Sequence, residues 1–252
     1  MRPGGLTAGS QRLAGTLSYG ASVDARVRAA IDASHLRGLP RDVLDELTDG
    51  AVGERIPAGS IARQEGETVP LIELVVSGIV RVFVTAPDGR TLTVRYCRPG
   101  ALMGVFSVFV PKYVLPASTQ ALVDSELLRI SPVVARQLAA RDGPLAIALL
   151  ADLSERVQNF VAEIAGSAFT TVRQRVVRHL LDLASQGMSE RGELVVFVSQ
   201  RDLAEAVGTV REVVVRVLRD LREEGVVRTE RDRIVIVDPD RLIREQGWNP
   251  SP

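Results

Sequence analysis

Two arginines and a glutamate between Ser199 and Leu221 have the chemistry and spacing needed to recognise DNA bases. Arg211, Glu212 and Arg216 would share the outer face of a helix whose opposite face is apolar. An arginine fork pairs with guanine O6 and N7, a carboxylate accepts from cytosine N4, and each good contact discriminates by about 1–3 kcal/mol. We therefore predict that these side chains read bases. The alternative is an ordinary helical hairpin with a charged outer face.

The local signals predict two helices that hold these side chains in place. Ser199 is expected to be the N-cap of a first helix, because its hydroxyl can accept an otherwise unpaired backbone N–H. Gly208 suits a tight turn, and Thr209 with Glu212 can form a capping box for the second helix. Glu212 could then serve only in that capping box. The apolar face of the second helix is expected to contain Val210, Val213, Val214, Val217, Leu218 and Leu221.

A β-hairpin is predicted directly after the second helix. Gly225 suits the position that follows a helix, and two β-branched runs, Val226–Thr229 and Ile234–Val237, flank a polar tip. Two helices followed by a hairpin form a winged helix-turn-helix.

This segment resembles the C-terminal domain of the Crp/Fnr family of bacterial transcription regulators. The run Arg211-Glu212-Val213-Val214-Val215-Arg216 is similar to the family's R-E-x-x-x-R sequence, as it stands in cyclic AMP receptor proteins. The resemblance implies that Arg211 and Arg216 read guanines of a TGTGA-type half-site and that Glu212 pairs with cytosine. It also implies phosphate contacts by Ser199, Gln200, Arg201 and Thr209. The pair Thr209-Val210 departs from the family's usual polar pair, which puts the contact of Thr209 in question.

Composition predicts a two-domain protein of the cytoplasm. The 252 residues are 46% hydrophobic, enough for two cores, and no apolar run reaches the roughly 20 residues that span a bilayer. No signal sequence is recognisable. The 31 basic and 31 acidic residues balance, so DNA affinity must come from local placement of charge.

The reactive residue types argue against an enzyme. Two histidines and one cysteine leave no triad or metal cluster. A single cysteine excludes a disulfide framework and also the four thiolates of an iron–sulfur cluster. Haem is not expected either, because neither histidine lies in the segment Gly104–Ser118, where a ligand pocket is expected. The effector, if there is one, is unknown from the sequence.

The chain order predicts an α+β fold with four segments. Residues 1–23 are expected to be a flexible arm, 24–143 an antiparallel β-roll, 144–168 a dimerisation helix and 169–252 the winged helix-turn-helix. Turn residues every 8–12 positions between 51 and 131 favour the roll. The pattern also resembles the cyclic-nucleotide-binding β-roll of the same family.

The pocket segment Gly104–Ser118 departs from the cyclic-nucleotide signature. Val105 stands where the resemblance implies a ribose-binding glutamate, and Leu115-Pro116 stand where an Arg-Ser or Arg-Thr pair would hold the phosphate. Phe160 lies where polar residues contact adenine in cyclic-AMP-responsive members. We therefore predict no ordinary cyclic AMP binding. The pocket is either filled by its own side chains or open to an apolar or aromatic ligand.

A long apolar seam predicts the partner of this protein to be a second copy. Its members recur at helical spacing at Leu145, Leu149, Leu153, Val157, Phe160 and Ile164. The alternative is a helix packed on its own β-roll. Double-stranded DNA and, through the loop Gly187–Gly192, RNA polymerase are the other partners that the resemblance implies. A different class of function, a ligand-storing or interaction module with a purely structural helix-turn-helix, remains open.

Overall fold

The computed structural model describes residues 16–18 and 25–245, except Val69, Pro111, 185–193 and 231–232. The side chains of 16–18 and 162–169 are also outside this description. Most of the predicted N-terminal arm and the loop 187–192 therefore lie outside the described residues. Within the arm, Thr16–Ser18 forms strand β1, which pairs antiparallel with Val52–Glu54.

The N-terminal unit is a β-roll of two antiparallel sheets with flanking helices. Its helices are α1 (Ala25–Asp32), α2 (Arg41–Thr48), a 3-10 turn (Val105–Val108) and α3 (Pro132–Arg141). Its further strands are β2 (Val52–Ile56), β3 (Ile61–Arg63), β4 (Ile72–Ser77), β5 (Val80–Thr85), β6 (Thr91–Cys97), β7 (Leu102–Met103), β8 (Ser118–Ala121) and β9 (Ser125–Ile130). The sheet orders are β1-β2-β9-β4-β7 and β3-β8-β5-β6.

The predicted apolar seam lies on the 27-residue helix α4 (Gly143–Phe169). Its first half is buried, whereas the described residues of its second half are exposed. Leu145 and Leu149 are buried in the core of the β-roll, and Leu153 packs against that core. Val157 and Phe160, in contrast, are more than half exposed. The prediction of one continuous dimer seam is therefore wrong for its first half, where the alternative of packing on the β-roll is confirmed. The side chain of Ile164 is not described.

A second exposed apolar stripe on α4 was not in the predicted seam. Ile147, Leu150 and Val161 are each at least 60% exposed. Together with Val157 and Phe160 they form an exposed apolar surface, which we call the α4 surface. Among the described residues no helix is both long and apolar enough to cross a bilayer.

The C-terminal unit is a three-stranded sheet, ordered β10-β12-β11, packed on four helices. Its elements are α5 (Val172–Ala184), β10 (Leu194–Val196), α6 (Gln200–Val207), α7 (Arg211–Glu223), β11 (Val227–Glu230), β12 (Arg233–Ile236) and α8 (Pro239–Glu245). Five fully or almost fully buried leucines make up the centre of its core: Leu180, Leu203, Leu218, Leu221 and Leu242. This arrangement confirms the predicted winged helix-turn-helix.

The two units touch directly through β5, β6, α5 and α6. The Thr91 hydroxyl donates to the Glu205 carbonyl oxygen at 3.3 Å, and an Arg81 guanidinium nitrogen lies 3.9 Å from a Glu205 carboxylate oxygen. The Tyr96 hydroxyl and His179 Nδ1 share a hydrogen bond of 3.0 Å, and the two rings meet edge to face. Because these contacts mix buried polar and aromatic groups, they fix the orientation of the C-terminal unit on the β-roll.

Candidate nucleic-acid interface and effector cavity

Helix α6 begins where the sequence predicts. Ser199 has extended backbone angles, and its hydroxyl accepts from the Asp202 N–H at 3.1 Å. The first turn of α6 therefore has a satisfied cap, and the predicted phosphate-binding residues lie at its exposed end. Gln200 is half-buried, whereas Arg201 is exposed and pairs with Glu205 at 3.1 Å.

The turn into α7 differs from the prediction by one residue. Gly208 has a left-handed backbone (φ 73°), and its N–H bonds back to the carbonyls of Ala204 and Glu205. The N-cap of α7 is Val210, which offers no side-chain hydrogen bond, so the Thr209–Glu212 capping box is wrong. Thr209 instead lies in the turn. Glu212 stands in the first helical turn, where its charge suits the helix dipole.

The two faces of α7 separate as the sequence predicts. Val214, Val217, Leu218 and Leu221 are buried in the C-terminal core, and Val213 is half-buried. Val210 was predicted on this face, but it is 55% exposed because it precedes the helix. Burial of four branched side chains therefore fixes the rotation of the helix about its axis.

The opposite face of α7 presents the three predicted base-reading side chains to solvent. Arg211, Glu212 and Arg216 are exposed, and within the described part of the chain no hydrogen bond or ion pair engages them. Arg219, one turn further on, lies 3.8 Å from Glu223 in an ion pair. Along α7, the charged groups near its start are thus available for a ligand, whereas Arg219 and Glu223 near its end pair with each other.

A large cavity lies between the β-roll, α4 and α5. Its volume is 1310 Å³. Four of the five predicted pocket residues line it, namely Gly104, Leu115, Pro116 and Phe160. Val105 does not, because its side chain is fully buried in the β-roll core. The cavity is open in this structure, which favours the alternative of a pocket that can admit a ligand.

Gly104 positions the 3-10 turn that forms one edge of the cavity. Its φ is 73°, and a Cβ at this residue would lie 2.1 Å from the Leu71 carbonyl oxygen. Only glycine fits this close approach. The resulting turn directs Val105 into the core and leaves Phe106 exposed at the cavity.

The cavity walls are more basic than the pocket segment predicts. Five arginines of the β-roll and α4 line it. They are Arg37 before α2, Arg63 on β3, Arg95 on β6, Arg98 just after β6, and Arg156 on α4. Sequence reasoning placed the expected phosphate-binding arginine only at Leu115-Pro116 and missed these residues. Their positions depend on strands and a helix far apart in sequence, so no local motif marks them.

One of these arginines is neutralised within the wall. Arg63 lies 2.6 Å from a carboxylate oxygen of Glu54 and also pairs with Glu73, whose side chain is buried. Burial raises the pKa of Glu73 despite this contact with Arg63. With Arg129, which lies 3.4 Å from the same Glu54, the cluster pairs two arginines with two glutamates and closes one side of the cavity without excess charge. In the described ranges, no group of three or more His, Cys, Asp or Glu side chains is placed to hold a metal ion.

Comparisons with known proteins match both units. Residues 54–142 match the model of the cyclic nucleotide-binding domain, and residues 174–245 match that of the Crp-like helix-turn-helix domain. The transcriptional regulator LdrP of Thermus thermophilus is 33% identical over 186 residues, which cover 72% of this chain and 90% of that protein. The CRP-like cAMP-activated global transcriptional regulator of Mycobacterium tuberculosis is 30% identical over 213 residues, covering 82% and 94%.

Solved structures support the same assignment. The c-di-GMP-responsive global regulator CLP of Xanthomonas campestris aligns with a TM-score of 0.69 and 25% identity, covering 78% of this chain and 99% of that one. A CRP-family transcriptional regulator of Thermus thermophilus aligns with a TM-score of 0.66 and 27% identity, covering 78% and 98%. The sequence relatives, the two domain models and the shared fold agree, and the chain belongs to the Crp/Fnr family of transcription regulators.

Proposed function

We propose that this regulator binds DNA as a homodimer and reads a TGTGA-type palindrome through α7. The observation that carries the proposal is the solvent-facing set of Arg211, Glu212 and Arg216 on a helix whose other face is buried. Arg211 and Arg216 are five residues apart, which is about 7.5 Å along a helix axis and close to two base-pair steps. Both guanidinium groups can therefore reach base edges of one half-site in a major groove.

The α4 surface supports the dimer. An exposed apolar face on a helix of this length, about 40 Å, suits a second copy of the same helix packed against it. Two-fold symmetry would then present two α7 helices to half-sites about one DNA turn apart, which calls for a palindrome. Replacing Leu150 and Val157 with glutamate should convert the dimer to a monomer in analytical ultracentrifugation. A dimer that persists would refute this interface.

The DNA proposal is tested by mobility shifts on a TGTGA-N6-TCACA duplex and on its scrambled version. Arg211→Ala or Arg216→Ala should each weaken palindrome binding by about 1–3 kcal/mol, roughly 5- to 150-fold, and remove the preference over scrambled DNA. Arg244→Ala is a matched control, because Arg244 is equally exposed but lies on α8. If wild-type protein shows only salt-sensitive binding without sequence preference, the helix-turn-helix has a packing role and the proposal fails.

A second part of the function is a response to a small molecule through an atypical pocket. The open cavity of 1310 Å³ favours a bound ligand over a self-filled pocket. Val105 and Leu115-Pro116 still argue against ordinary cyclic AMP binding through the family's glutamate and arginine. Contact with RNA polymerase stays a prediction, because the loop 187–192 lies outside the described residues. A cytoplasmic location follows from action on chromosomal DNA.

A further inference from the structure

One valine of α7 lies on the charged outer face of the helix. Of the four valines in α7, Val214 and Val217 are buried and Val213 is half-buried. Val215, in contrast, is 39% exposed and lies outside the C-terminal core. A β-branched residue is also a poorer helix former than alanine. Neither core packing nor helix propensity therefore accounts for a valine at this position.

Val215 stands between the two arginines that the proposed function assigns to base reading. At about 1.5 Å per residue, it lies about 6 Å after Arg211 and about 1.5 Å before Arg216 along the helix axis. At about 100° per residue, it also lies between them around the axis, about 40° from Arg211 and about 100° from Arg216. Val215 is therefore on the strip of helix surface that separates the two arginines.

The exposed neighbours of Val215 on this surface are all charged. Residues three and four apart adjoin each other on a helix, so Val215 adjoins Arg211, Glu212 and Arg219. These three side chains are exposed, whereas Leu218, the remaining neighbour at this spacing, is buried. The exposed apolar surface of Val215 is thus a small patch within a charged face. A patch of this size matches a single methyl group that stands among polar base edges.

We propose that Val215 contacts the C5-methyl group of the thymine that lies between the two guanines of the TGTGA-type half-site. In a major groove this methyl group distinguishes thymine from the other bases, and small apolar side chains reach it. One thymine lies between the two guanines, as one exposed valine lies between the two arginines that would read them. The proposal rests on the proposed DNA function and adds a thymine contact to the guanine and cytosine contacts of α7.

Such a contact selects thymine in two ways. Removing one methyl group from water against an apolar partner favours binding by about fourfold. A cytosine at the same position would instead present an amino donor to the groove. Val215 has no acceptor for that donor, which would lose its water without gaining a partner. Valine therefore attracts thymine and disfavours the other pyrimidine.

The test compares the affinity of the full-length protein for the palindrome and for the same duplex with deoxyuridine in place of this thymine. Deoxyuridine removes the C5-methyl group and keeps the base pair. Wild type should bind about fourfold more weakly when one half-site is substituted and about fifteenfold more weakly when both are. Val215→Ala should lose most of this sensitivity and bind the thymine duplex more weakly than wild type does. Val133→Ala, which truncates an exposed valine of α3, is the matched control and should behave as wild type.

The contrary results are distinct. Equal losses on deoxyuridine for wild type and Val215→Ala would show that the methyl group acts through DNA shape, and they would overturn the contact. A loss of the same sensitivity in Val133→Ala would also overturn it. So would a clearly lower melting temperature of Val215→Ala, because the side chain would then have a structural role. Wild type that does not prefer the palindrome over scrambled DNA would refute the proposed function itself. Palindrome preference without a response to deoxyuridine would refute the thymine contact alone.

Discussion

Replacing His179 with glutamine should flatten the pH dependence of the unfolding free energy between pH 7 and pH 5. His179 is only 4% exposed and shares a hydrogen bond with the Tyr96 hydroxyl. Burial, with the nearby charges of Arg178, Arg81 and Arg175, lowers the pKa of His179 from 6.5 to about 3. The folded protein therefore keeps this imidazole neutral throughout the physiological range.

The magnitude follows from proton linkage. The unfolded chain takes up a proton at His179 near pH 6.5, whereas the folded chain does so only near pH 3. The contribution of His179 to stability is therefore full above pH 6.5 and is lost as the pH falls from there toward 3. At pH 5 the solution is about 1.5 pH units below the pKa of His179 in the unfolded chain. Protonation therefore stabilises the unfolded state relative to the folded state by about 2 kcal/mol.

The measurement is urea unfolding at pH 7, 6 and 5, followed by circular dichroism, for wild type, His179→Gln and His35→Gln. Glutamine preserves a hydrogen-bonding partner for Tyr96 but cannot titrate. His35 is the other histidine of the chain and is one-third exposed, which makes it the matched control. The unfolding free energy of wild type, minus that of His179→Gln, should fall by about 2 kcal/mol from pH 7 to pH 5, because only wild type loses stability through this group. Parallel pH profiles for these two proteins would contradict the reasoning.

Three further substitutions test the helices α6 and α7 and the turn at Gly104, which hold the predicted site residues in place. Ser199→Ala should cost about 1 kcal/mol of stability through the lost α6 cap, measured by thermal unfolding, and a neutral result would count against the cap's role. Leu221→Ala should cost about 2–5 kcal/mol in chemical denaturation, whereas Val215→Ala, on the exposed face of the same helix, should stay within about 0.5 kcal/mol. Gly104→Ala should cost on the order of 1–3 kcal/mol, because the new Cβ would collide with the Leu71 carbonyl oxygen; unchanged stability would show that the turn adapts.

Features set by neighbouring residues could be predicted from the sequence. The Ser199 cap, the Gly208 turn and the buried stripe of α7 each depend on hydrogen bonds or spacing within about one helical turn. The predicted Thr209 cap failed because the hydroxyl stands one residue too early. The Thr209 N–H bonds to the Ala204 carbonyl within the preceding turn, and α7 begins only after Val210.

Features set by distant residues could not be predicted. The spacing of Leu145 and Leu149 does not reveal whether their helix packs on the β-roll or on a second copy, since both surfaces are apolar. The inward direction of Val105 depends on the left-handed backbone of Gly104. The meeting of Arg95 and Arg156 in one cavity wall needs the register of β6 and the docking of α4, neither of which leaves a local pattern in the chain.

The direct contact between the two units limits how they can be exchanged with those of other regulators. Tyr96 and Leu122 of the β-roll pack against the core of the C-terminal unit, and the Leu92 side chain approaches Gly208. A β-roll separated after α4 would expose these apolar groups to water. A chimera joined at that point would set them against an unmatched surface. Transplanting the DNA-binding unit of this protein therefore requires that the surface formed by the β5–β6 hairpin and Leu122 be transferred together with α5 and α6.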